Sequence, residues 1–243
     1  MSNCPDFIQV RAGLKAWIGQ LLSGNSGDFN GTHVTSRLDT AKIIPLPQND
    51  RSRSIQVVKT LKKSVDIKLA YLFEGLCMNA ADALFEEQYG AADEEALTRQ
   101  FNITRALRVQ AEPHLQAYKT LMGQSWVNLL NRKDEPALMP PAEAITLLEG
   151  YAQRNRNHYK ILLEELRQRF SALAGIELQH HPLLPLNFLV CFWHSMDCLE
   201  LDANERKLLL VLFNRFVMDR FGQILALANQ SLAERGLNPV SAG

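Results

Sequence analysis

The sequence predicts an all-α fold: an antiparallel bundle of long helices, with an N-terminal amphipathic helix on a flexible linker. Three observations carry this. From Ser54 onward apolar residues recur three or four positions apart with few interruptions, the spacing of one helix face. No segment alternates apolar and polar residues for the length of a strand, and no hairpin dipeptide joins two such segments. The glycines and prolines that interrupt the pattern fall where helices start and stop, as at Gly90, Pro141, Gly175 and Gly236.

Taken in order, residues 6–22, "DFIQVRAGLKAWIGQLL", place Phe7, Val10, Leu14, Trp17, Ile18 and Leu21 at helical spacing behind the start signal Pro5-Asp6. A tethered helix with such a face docks on another surface. Leu14, Trp17, Ile18 and Leu21 are therefore the candidate partner-binding residues. Residues 23–53 are rich in glycine, serine, asparagine and aspartate and carry no period, which reads as a linker or long loop. Residues 54–239 form the bundle domain.

Within it, one helix runs from Ser54 to a stop at Gly90. The next starts at Asp93, with Glu94 and Glu95 favourable to the helix dipole, and Pro113 requires a kink in it. "KDEPALMPP" is a loop. Pro141 then opens a helix ending at Gly175, which Gly150 bends or splits. A strongly apolar helix spans 184–200. Asp202 and Glu205 have capping-box spacing and begin the last helix, which runs to Arg235 before the stop at Gly236.

The 243 residues are 47% hydrophobic with a formal net charge of +0. That balance gives the whole chain no electrostatic reason to seek nucleic acid or an anionic membrane. The charges are nevertheless segregated. Arg51, Arg53, Lys59, Lys62, Lys63 and Lys68 form a basic run; Asp82, Glu86, Glu87, Asp93, Glu94 and Glu95 form an acidic one. No aromatic platform or groove-reading motif accompanies the basic run, so nucleic-acid binding through 51–68 stands only as an alternative. The four cysteines have no framework spacing, the start has no secretory pattern, and no stretch of about twenty apolar residues occurs. A cytoplasmic chain with reduced thiols and no membrane span is expected.

The stretch "CFWHSMDC" is the strongest candidate for chemistry. On a helix, Cys191, His194 and Cys198 share a narrow arc, joined by Asn187 a turn earlier. The two cysteines are two turns apart, about 10 Å along the axis. The thiolates of one tetrahedral zinc lie about 4 Å apart. Packing is therefore the expected role of these three residues, and no metal or other cofactor is expected. A cysteine nucleophile would need an orienting group and an oxyanion pocket, and Asp197 points elsewhere. No nucleophile elbow, CxxC, phosphate loop, dinucleotide fingerprint or HExxH is present. His114, next to Pro113, and His158, among Arg154, Arg156 and Lys160, read as capping or solvated residues. No catalytic residue is assigned. The expected function is non-enzymatic: a regulatory or scaffolding module that binds a protein partner, with self-association left open. The alternative is a ligand- or metal-binding bundle with a polar pocket near Cys191 and His194.

Two stretches carry a family likeness. Residues 181–239 contain His181-Pro182 through Pro185, the segment Lys207 to Val217, and then Asn229, Leu232, Gly236 and Pro239. In this they resemble the end of a long proteobacterial family of unknown function, sometimes mislabelled thymidine phosphorylase. Residues 65–130 resemble it more weakly, through Asp66, Leu72-Phe73, Ala81-Asp82, Arg105 and Arg108. The resemblance implies a bacterial helical protein and, by kinship alone, a cyclic-dinucleotide signalling context. This chain has neither a glycine-rich phosphate cradle for phosphorylase chemistry nor the RxxxR…DxSxxG pair of a PilZ receptor.

Overall fold

A computed structural model describes residues 48–87 and 94–237, all within the unit Ile44–Gly243. The expected helix at 6–22, with Leu14, Trp17, Ile18 and Leu21, lies outside the described residues, as do most of the expected linker and Gly90. The described residues form α1 (Gln48–Glu87), α2 (Glu94–Leu130), α3 (Ile145–His158), α4 (Lys160–Ala174), α5 (Pro185–Ser195), α6 (Ala203–Phe216) and α7 (Phe221–Ala233). Three-residue 3-10 turns, Met196–Cys198 and Met218–Arg220, follow α5 and precede α7. No strand occurs among the described residues, and the all-α expectation holds.

α1 starts six residues before the apolar period does. Its first turns, "QNDRSR", are polar but contain neither proline nor glycine. α1 and α2 form an antiparallel hairpin: Gln100 Nε2 donates to Leu84 O, while further along Phe73 meets His114 edge to face, 5.1 Å between ring centres. The kink expected from Pro113 is present. Gln110, three residues earlier, has φ −120° and ψ 17°, because the proline ring crowds the preceding turn and removes one helical donor.

One expected break moves and one unexpected break appears. Gly150 sits inside α3 without disturbing it, and the interruption comes at Tyr159, with φ −105° and ψ 24°. The last helix, expected to be continuous from 202 to 235, is also broken, at Val217 and the turn Met218–Arg220. Tyr159 joins the two breaks. Its hydroxyl donates to Asp219 O at 2.8 Å, with Met218 O at 3.2 Å, which ties one interruption to the other. The ring lies so close to Gly222 that a Cβ there would meet Tyr159 Cε1 at 2.8 Å. Pro141 opens only a turn, and α3 itself begins at Ile145. The capping box is complete: Asp202 Oδ1 accepts from the amides of Asn204 and Glu205, and Glu205 Oε2 accepts from that of Asp202. Gly175 (φ 70°) and Gly236 (φ 80°) take the left-handed conformation expected of helix stops.

α5 is the central element. It packs against α2, α3 and α6, and Phe188, Leu189, Val190, Cys191, Phe192 and Trp193 are all buried. Phe192 stacks on Phe213 at 3.8 Å, and Tyr118 meets Phe188, Phe192 and Phe213 edge to face, geometries that suit the aromatic quadrupole. α5 ends at Ser195, not near residue 200, so Cys198 leaves the arc it shares with Cys191 and His194 on a straight helix. Buried polar pairs tie the surrounding rods, Asn155 to Asn214 and Arg169 to Asn229, and a partly buried pair, Ser125 with Asn187, ties α2 to α5.

Candidate functional site

The Cys–His–Cys stretch makes no joint site. Cys191 is fully buried with its thiol toward Asn187 Oδ1, His194 Nε2 donates to Met139 O at 3.1 Å, and Cys198 Sγ reaches Ser195 O at 3.1 Å. Burial raises the Cys191 thiol far above its ordinary range, and burial together with Glu74 pushes Cys77 up to about 11. Both are poor nucleophiles, since the thiolate is the reactive form. No group of three or more His, Cys, Asp or Glu suited to a metal ion occurs among the described residues.

His114 is neither a cap nor solvated. It is buried between Phe73 and Phe192, and its Nε2 lies 2.9 Å from Ser195 Oγ. Ser195 gives its own proton to Phe192 O at 2.7 Å. The histidine therefore donates through Nε2–H, which leaves Nδ1 an acceptor with no protein partner. This polarity is opposite to that of a base activating a serine, and burial lowers His114 to about 3. His181, likewise buried with an unpartnered Nδ1, is lowered to about 3 by desolvation and by the nearby Arg167 and His180. His158 is exposed, as expected.

A cavity of about 280 Å³ lies under the connection between α2 and α3. Leu138, Met139, Ile145 and Val190 give it apolar walls; Asn128, Arg156, His181 and Asn187 contribute polar groups. The connection is anchored by Asp134, whose Oδ1 accepts from the amides of Gln179 and His180 and from the His180 ring. Those bonds hold the Asp134 carboxyl below its ordinary range against the opposing effect of desolvation. The cavity borders the polar side of α5 and so lies close to where the sequence reading put a pocket, though Asn187 and not Cys191 lines it.

The least anticipated surface is on α1. Leu61, Val65, Leu69, Leu72, Leu76 and Ala80 are buried. Yet Ile67, Tyr71 and Met78 are 63%, 67% and 73% exposed. At 3.6 residues per turn these three fall within an arc of about 40°, roughly opposite the core line. Tyr71 and Met78 are a heptad apart, and Phe85, also exposed, continues the row. Leu97 and Phe101 at the start of α2 are exposed as well, and the Gln100–Leu84 bond holds that turn beside the end of α1. The charges are divided along the helix. Arg51, Arg53, Lys59 and Lys63 are exposed toward its start, Glu74, Asp82 and Glu86 toward its end. Lys59, Lys62, Lys63 and Lys119 line an open groove that also holds Asp66, the ion-pair partner of Lys62.

The profile described as "Protein of unknown function (DUF1631) N-terminal domain" matches residues 53–236. The chain belongs to this family. The DUF1631 match covers the resembling stretch 65–130, the residues that follow it, and 181–236 of the second stretch. No curated protein and no solved structure matches the chain. No helix among the described residues is long and apolar enough to cross a membrane.

Proposed function

We propose that this DUF1631 domain is a non-enzymatic interaction module, regulatory or scaffolding in role, that works in the bacterial cytoplasm by presenting the outer row of α1 to a protein partner. One observation carries the reading. α1 has two apolar lines, and only one is used by its own core. An exposed, contiguous apolar patch marks an interaction surface when it exceeds the scattered residues of ordinary surfaces. Ile67, Tyr71 and Met78 supply the anchors of a helix-on-helix contact. The test is capture by the full-length chain from its native lysate. The wild-type chain should retain a stoichiometric protein, and Tyr71→Lys with Met78→Glu should release it while leaving thermal unfolding in place. Equal recovery by both chains would refute the reading.

A second reading, a small-molecule binder, draws on the cavity beneath the α2–α3 connection, where apolar walls and a few polar groups converge as they do in ligand sites. A bound ligand raises the unfolding temperature in proportion to its occupancy. A thermal-shift panel that includes cyclic dinucleotides, compared between wild type and Val190→Trp, tests it. Only a shift lost in the filled variant supports this reading.

A further inference from the structure

We propose that the partner of the outer α1 face is the same face of a second copy, with the two helices antiparallel. This rests on the interaction reading above and names its occupant. The argument is one of self-complementarity. The exposed row Ile67, Tyr71 and Met78 sits near the middle of α1. Before it the exposed charges away from the core side are basic, with Arg53, Lys59 and Lys63; after it they are acidic, with Asp82 and with Glu86, which also pairs with Arg215 of its own chain, and Glu94 opens α2 just beyond. Laid against its own reverse, the helix brings its basic half to the partner's acidic half while the apolar rows meet at the centre. A parallel pair would set like charges together. The heptad interval between Tyr71 and Met78 is the spacing at which two helices keep a shared seam. The 11 steps from Ile67 to Met78 cover about 16 Å of that seam at 1.5 Å per residue. The charges set direction and partner choice more than affinity, and the apolar row supplies the affinity. An isologous contact of this kind closes as a two-fold dimer and leaves no free end for further growth.

The experiment uses the full-length chain in sedimentation velocity, with circular dichroism to confirm that each variant keeps its helicity. Wild type should show a concentration-dependent dimer. Met78→Glu should weaken it about tenfold or more. Lys59→Glu with Lys63→Glu, and separately Asp82→Lys with Glu94→Lys, should each weaken self-association, while in an equimolar mixture of the two variants the heterodimer should form in preference to either homodimer. A wild-type chain that stays monomeric at its highest soluble concentration overturns the proposal, as does a dimer indifferent to all of these changes. If the chain is monomeric but lysate capture still depends on Tyr71 and Met78, only the self-pairing falls. If capture is indifferent as well, the interaction reading falls with it.

Discussion

Individual buried groups set how this domain responds to acid. His114 and His181 titrate near 6.5 when unfolded and near 3 when folded, because the interior disfavours their charged forms. Their folded pKa values are depressed, so as pH falls below about 6.5 the unfolded chain takes up protons first and stability drops toward pH 3. The expected loss at pH 5 is about 2 kcal/mol per histidine. Urea midpoints at pH 7, 6 and 5 should fall progressively, and His181→Leu should lose about half of that slope. Asp134 and Glu164, both held below the ordinary carboxylate range, act in a separate and lower window. Tyr118 shows a different cost. Its hydroxyl is buried among aromatic edges with no protein partner. Tyr118→Phe should leave stability unchanged or raise it by about 1 kcal/mol, as read from chemical denaturation.

At the scale of elements, the joint at Tyr159 makes opposite predictions for two glycines. Gly150 faces open space within α3. Gly150→Ala should therefore stabilise by about 0.5–1 kcal/mol through helix propensity. Gly222 lies against the Tyr159 ring, which two carbonyls hold in place. Gly222→Ala should cost about 1–3 kcal/mol by overpacking, and Tyr159→Ala in the same chain should remove much of that difference, a coupling that a double-mutant cycle measures. The same joint shows where sequence reading stops. The capping box, the Pro113 kink and the glycine stops were legible because each is a local chemical signal. The breaks at Tyr159 and Val217 were not, because their cause is a contact between residues about sixty apart. The burial of His114 has the same origin: Pro113 announces a kink but not that its neighbour turns toward Phe192. The outer row of α1 escaped notice for another reason. Two apolar lines on opposite sides of one helix read as a single dense pattern, and only burial separates them.

For the molecule as a whole, the all-α architecture was legible from periodicity alone. Prolonged treatment with a strong chelator should leave the unfolding temperature unchanged; a fall of several degrees would reveal an ion that this account omits. The location of the cavity was only half legible, because its walls come from α2, α3, α5 and a connection distant in sequence. The burial of most of α5 has an additional outcome for assembly of the chain. So apolar a rod has no stable place until the walls of its slot exist, and those walls are built from segments on both sides of it in sequence. A chain severed between α4 and α5 should yield two pieces that are each disordered or sticky alone and regain cooperative unfolding only when mixed. Limited proteolysis of the intact domain should accordingly pass from full length to small peptides without a long-lived half-sized product.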